Sequence, residues 1–172
     1  LLLSHDFAKS LTPIITGGTG SASDTEVQPG YMPDRFESGT PNLPGIYGFQ
    51  AAVSFILETG VETFRAHETA MARRFLSGLK DLPGVRIAGP LSLEDRVAVI
   101  SLDFEEKDNA EIAFALEQEY GIMTRCGLHC APCAHKTLGT FPQGTVRFSP
   151  GFYTTDEEID RALCAIRALA EK

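Results

Sequence analysis

At 172 residues, with 43% hydrophobic and 22% charged side chains, the chain has the makeup of a globular protein and lacks the low-hydrophobicity signature of disorder. A chain of this length buries roughly 70% of the surface its unfolded form exposes, so a hydrophobic core is expected. Its 23 acidic against 15 basic residues give a formal charge of -8, the wrong sign for partners such as nucleic acid or an anionic membrane.

No apolar run approaches the roughly 18 residues of a spanning helix, and Leu1-Leu2-Leu3 lacks the basic flank of a secretory signal. A cytoplasmic protein is expected. The opening residues read as the end of a buried strand, and without an initiating methionine the chain is expected to be a piece of a longer protein.

Residues 1–45 hold few regular patterns. Pro29, Pro33, Pro41 and Pro44 remove backbone donors and restrict the residues before them, which predicts an extended arm. Gly17-Gly18-Thr19-Gly20 has no lysine or helical pattern after it, so it reads as a flexible turn and not as a phosphate loop.

From Ile46 the spacing turns helical, first over 47–57 and then through Val61, Phe64, Met71, Phe75 and Leu79, with Thr59 and Glu62 placed as a capping box between the two. Pro83-Gly84 ends the second helix and 85–88 reads as a short strand. In 96–104, Ala98, Ile100, Leu102 and Phe104 alternate with Val97, Val99, Ser101 and Asp103, the pattern of a strand with one buried face.

Asp108 or Asn109 caps a helix whose Ile112, Ala113, Leu116 and Tyr120 share a face, and Gly121 stops it. A strand over 122–126, a short helix over 132–139 and a strand over 145–149 follow. Thr155 and Glu158 then form a second capping box ahead of Ile159, Ala162, Leu163, Ile166 and Leu169. The expected fold class is α/β of the α+β kind, a mostly antiparallel sheet with flanking helices, preceded by the arm and one helix.

Three of the four cysteines crowd into Thr124-Arg125-Cys126-Gly127-Leu128-His129-Cys130-Ala131-Pro132-Cys133-Ala134-His135. This does not look like a secreted disulfide framework. The cysteines read either as small buried hydrophobes or as reactive thiols beside the cationic Arg125 and His129. Their spacing also matches the cluster ligands of radical enzymes that use S-adenosylmethionine. Pro132 before the last cysteine, and only about 40 residues after it, too few for a barrel, argue against that. A zinc site shared with His129 or His135 would have poor tetrahedral geometry on one strand and turn. His5, His67 and His135 look ordinary, with His67 expected in solvent on a charge-rich helix.

Residues 33–42, Pro-Asp-Arg-Phe-Glu-Ser-Gly-Thr-Pro-Asn, resemble the R-F-E-x-G-T-P-N segment of class V aminotransferases. Residues 145–155, Thr-Val-Arg-Phe-Ser-Pro-Gly-Phe-Tyr-Thr-Thr, resemble the R-x-S-x-x-x-Y-x-T segment near their C-terminus. Taken with Arg125-x-Gly127-x-His129-Cys130-Ala131, the chain resembles cysteine desulfurases and selenocysteine lyases over essentially its whole length, with the segments in the right order.

That resemblance implies a fold-type I pyridoxal 5'-phosphate (PLP) enzyme, of which 1–58 is a remnant of the large cofactor-binding domain and 59–172 the small C-terminal domain. It implies that Cys130 is the nucleophile that takes sulfur from L-cysteine as a persulfide while alanine leaves. Arg147 becomes the clamp on the substrate carboxylate, a task suited to a planar two-pronged donor. Asn42, Arg125 and His129 fall on the substrate side, although Arg125 and His129 read equally well as structural donors. Gly39 and Thr40 become donors to the cofactor phosphate, in this family typically that of the partner subunit, which implies a homodimer.

The lysine that carries the cofactor is missing: Lys9, Lys80, Lys107, Lys136 and Lys172 all lack the expected histidine-lysine context. By itself, therefore, the chain is expected neither to hold PLP tightly nor to turn over cysteine. The 16 residues between Cys130 and Arg147 resemble the short catalytic loop of desulfurases that pass sulfur to an acceptor protein. The alternatives are a selenocysteine lyase acting on selenocysteine, a metal or iron-sulfur module, and a dimerisation module without chemistry.

Overall fold

The computed structural model describes residues 2–22, 24–94 and 96–172. The chain divides into two compact units, Leu1–Glu58 and Thr59–Lys172.

The first unit contains α1 (His5–Ser10), a single 3-10 turn at Asp34–Phe36 and α2 (Leu43–Thr59). The described residues show no opening strand, Leu1 lying outside them: residues 2–4 are irregular and α1 follows at once, burying only Ala8. The proline-rich stretch is irregular as its composition dictates, but it folds on itself. Gln28 accepts the Gly17 N–H at 3.2 Å and donates to the Asp34 carbonyl at 2.9 Å, while the Arg35 guanidinium reaches the Leu11 carbonyl at 2.7 Å. The Gly39 N–H donates to the Gly18 carbonyl at 2.7 Å, so the start of the glycine run is tied down at Gly17 and Gly18. α2 begins three residues earlier than Ile46 because the Asn42 side chain accepts the Gly45 N–H at 3.1 Å and caps its first turn. None of its residues is buried, although Ile46, Phe49, Val53 and Leu57 are apolar.

The second unit runs α3 (Val61–Gly78), β1 (Val85–Ala88), β2 (Ile100–Phe104), α4 (Asn109–Tyr120), β3 (Arg125–Gly127), α5 (Pro132–Leu138), β4 (Thr145–Phe148) and α6 (Asp156–Glu171). Its sheet has the order β1-β2-β4-β3, antiparallel at every pairing. Ile100, Leu102 and Phe104 of β2 and Val146 and Phe148 of β4 share one face by the two-residue alternation. That face packs against Phe75 of α3, Leu116 of α4 and Ile166 of α6. Each large side chain so buried contributes about 2 kcal/mol.

The start of α6 is the expected capping box: Thr155 accepts the Glu158 N–H and Glu158 accepts the Thr155 N–H. The other box, Thr59 with Glu62, does not form. Thr59 is the last residue of α2, and Gly60 at φ 87 separates the helices, so α3 starts without a side-chain cap.

Two strands are shorter than expected for local reasons. β2 begins at Ile100 and not at Arg96, because the Val99 N–H turns back onto the Val97 carbonyl at 2.8 Å. β3 begins at Arg125 and not at Ile122, because the end of α4 uses the intervening backbone. Gly121 adopts φ 66, and the N–H groups of Gly121 and Ile122 return to the carbonyls of Glu117 and Leu116.

Buried Asn109 ties the sheet to α4. It accepts the Phe104 N–H at 3.0 Å and donates to the Gly144 carbonyl at 3.0 Å and to Asp103 at 3.1 Å. The entry to β4 is thereby fixed beside the end of β2.

Candidate active site

The sheet face opposite the core carries the polar residues. Arg147 lies between Ser101 of β2 and Arg125 of β3, and one step along, Thr145 lies opposite Gly127. At this end Arg86 of β1 pairs with Asp103 at 2.7 Å and donates to the carbonyls of Leu138 and Gly139 at 3.1 and 3.3 Å. The last turn of α5 is thus anchored over the Asp103 end of the face, where Thr145 is buried. The Arg147 end stays partly open.

Among the described residues neither Arg125 nor Arg147 forms an ion pair. The Arg147 Nε is buried with no hydrogen-bond partner among the described residues, and so is the Thr145 hydroxyl on the same face. Like charges facing each other across a strand pair repel, and a buried donor without a partner is destabilising by about 1–3 kcal/mol. A carboxylate bound between the two guanidinium groups would relieve the repulsion between them.

Cys130 follows on the same edge. After β3 the chain enters two consecutive left-handed residues, His129 at φ 50 and Cys130 at φ 60, and closes a turn with the Ala131 N–H on the Leu128 carbonyl at 2.8 Å. Such conformations cost side-chain-bearing residues about 1–3 kcal/mol and concentrate at functional sites. The His129 ring folds back, its Nε2 donating to the Arg125 carbonyl at 2.9 Å, which holds the loop over its own strand. Behind it, buried His135 of α5 shares a hydrogen bond with the Thr140 hydroxyl at 2.7 Å, its ring 5.8 Å from that of His129.

Cys126, Cys130, Cys133 and Cys164 are all free and exposed, which removes the reading of buried hydrophobes. Cys126 faces the other side of the sheet, since it stands opposite Val146 of the core. No group of three or more His, Cys, Asp or Glu side chains is arranged to hold a metal among the described residues.

The structure brings Arg125, His129, Cys130 and Arg147 onto one edge of one sheet. Gly39, Thr40 and Asn42 belong to the first unit. There Gly39 adopts φ 82 with its N–H already given to Gly18, Thr40 is exposed, and Asn42 caps α2. His67 is not a solvent histidine: its Nε2 meets the Thr154 carbonyl at 2.9 Å and its ring stands edge-on to Phe152. Thr145 was not singled out from the sequence, although the two-residue alternation with Arg147 was an available signal, and His135 was read as ordinary.

The family model of the class V aminotransferases matches residues 1–162, and the chain belongs to that family. Among individual relatives, it is 36% identical over 173 residues to a probable cysteine desulfurase of Mycolicibacterium paratuberculosis, covering 99% of this chain and 24% of the relative. It is 32% identical to a cysteine desulfurase of Dickeya dadantii, covering 80% of this chain and 32% of the relative. A cysteine desulfurase of Thermococcus onnurineus solved in its apo form superposes with a TM-score of 0.84 at 30% identity, over 97% of this chain and 41% of that one. One from Escherichia coli superposes at 0.79 with 25% identity, over 96% and 40%. The chain thus spans well under half the length of these relatives.

The family implies PLP, and the lysines of this chain do not fit the task of carrying it. Lys9 pairs with Asp6, Lys107 donates to the Leu169 and Ala170 carbonyls, Lys136 lies over the Phe141 ring and Lys172 pairs with Glu119. Lys80 stands beside Arg73 in a shallow groove over Ile87 and Leu91. None of the five belongs to a strand of the sheet.

Proposed function

We propose that this chain works as the C-terminal part of a PLP-dependent cysteine desulfurase, in which Cys130 takes the sulfur of L-cysteine as a persulfide and alanine is released. The observation that carries the reading is the uncompensated arginine pair: Arg147, with a buried unpartnered Nε, faces Arg125 on the edge from which the Cys130 loop departs. A substrate carboxylate gripped there is fixed in orientation, and an exposed thiol on a strained, hydrogen-bonded turn is held ready for attack at sulfur. The names of the relatives support cysteine as the substrate.

Bound PLP would supply electron withdrawal that weakens the carbon-sulfur bond, carried by a lysine other than the five of this chain. Of Gly39 and Thr40, Thr40 would contribute donors to its phosphate, since the Gly39 N–H is already given to the Gly18 carbonyl. Residues 1–58 would then be part of the large domain. α2 is apolar around its girth yet has no buried residue among those described, which supports that assignment, since such a helix belongs inside a larger body. A cytoplasmic homodimer that passes sulfur to an acceptor protein completes the proposal.

The test is the complete protein with Cys130→Ser. Loss of alanine and sulfur release with the cofactor absorbance intact supports the reading, and undiminished cysteine turnover refutes it.

A further inference from the structure

The desulfurase reading uses one thiol of the loop, and a second follows it three residues on. Cys133 is the second residue of α5, three positions after Cys130, and both are free and exposed. Only Ala131 and Pro132 separate them, the spacing of the dithiols that close into a reversible disulfide. Cys126 is set apart on the core side of β3, opposite Val146. The chain from Cys130 to Cys133 carries no helical hydrogen bond before the His135 N–H reaches the Ala131 carbonyl, so the Cys130 side of the pair lies outside the α5 ladder. On the Arg86 side, α5 is held by its last carbonyls, which fixes the helix that carries Cys133.

Resting on the assignment of Cys130 as the sulfur carrier, we propose that Cys133 is a resolving thiol that discharges it inside the same chain. The Cys133 thiolate attacks the Sγ of the Cys130 persulfide. The inner sulfur-sulfur bond breaks, its electron pair leaves with the terminal sulfur as hydrosulfide, and the proton lost by the Cys133 thiol goes to solvent. The terminal sulfur is reduced to sulfide as the two cysteine sulfurs are oxidised to a disulfide. The dithiol is then restored by exchange with an external dithiol reductant. Sulfur leaves as free hydrosulfide whenever no acceptor has taken it.

The experiment uses the complete protein with PLP bound, freed of small thiols and given less than one equivalent of L-cysteine. The expected products are alanine, hydrosulfide and a disulfide-linked Cys130–Cys133 peptide in matching amounts, with the disulfide removed by a dithiol. In Cys133→Ser, hydrosulfide release is lost and the sulfur remains on Cys130. Wild-type protein that keeps its sulfur on Cys130, with neither hydrosulfide nor the linked peptide, overturns the role of Cys133 and leaves the desulfurase reading standing. Absence of alanine from wild-type protein, or its formation by Cys130→Ser, overturns both.

Discussion

Arg147 and Arg125 stand directly opposite each other on β4 and β3, on the sheet face away from the core, and no carboxylate among the described residues holds either one. Proteins seldom align two guanidinium groups without something negative to share. Here the strand register creates the alignment. Cys130 leaves the sheet from the end of the strand that carries Arg125.

Replacing Arg147 with lysine keeps the charge and removes the fork. The expected result in the complete enzyme is a KM for L-cysteine raised about tenfold or more, because losing one charge-assisted hydrogen bond removes about 1.5–3 kcal/mol. The thermal unfolding midpoint should hardly move. Steady-state kinetics alongside calorimetry checks both, and an unchanged KM would take Arg147 out of the substrate site.

Gly144 is the tightest point of the site's frame. It adopts φ 78 just before β4, and an added Cβ would overlap the carbonyl carbon and oxygen of Gly127 across the strand pair. Since those are backbone atoms fixed at both ends, Gly144→Ala is expected to destabilise the chain by about 2 kcal/mol or more. Urea unfolding measures it, and a loss of only a few tenths would mean that β3 and β4 separate easily.

Across the molecule, Arg74 of α3 grips Asp160 of α6 through two hydrogen bonds of 2.8 and 2.6 Å and touches Asp156 at 3.1 Å. The hydrogen bond from Arg74, more than its charge, holds the Asp160 carboxyl below the ordinary carboxylate range. A depressed folded value means that the stabilisation is present above the unfolded pKa and disappears as pH falls through the folded one. The stability gap between wild type and Arg74→Met should therefore be measurable near neutrality and close in acid. Urea midpoints at several pH values test this, and a gap that persists in strong acid would assign it to packing by the arginine stem.

The parts of this fold that were legible from sequence are those governed by neighbours in the chain. α6 followed from Thr155, Glu158 and the spacing from Ile159 to Leu169, and the buried face of β2 from strict alternation at Ile100, Leu102 and Phe104. Short-range competition defeated other expectations. Thr59 was taken by the end of α2 before it could cap α3, and Ile122 was drawn into the end of α4 before it could join β3. α1 has one buried residue, too weak a stripe to announce a helix.

Long-range contacts left no trace in sequence. The partner of His67 is the carbonyl of Thr154, 87 residues away, and the charge-rich surroundings of His67 pointed instead to solvent. In the candidate site, Cys130 and Arg147 stood out through flanking residues and family resemblance. The pairing of Arg147 with Arg125, by contrast, needed the register of two strands separated by α5.

The most direct measurement follows the sulfur atom. In the Cys133→Ser background, where a persulfide on Cys130 has no neighbouring thiol to discharge it, the complete protein is given sulfur-labelled L-cysteine and its peptides are mapped. The account predicts label on Cys130 alone, in an amount equal to the alanine formed. Label on Cys126 or Cys164, or alanine formed with Cys130 unlabelled, would contradict it.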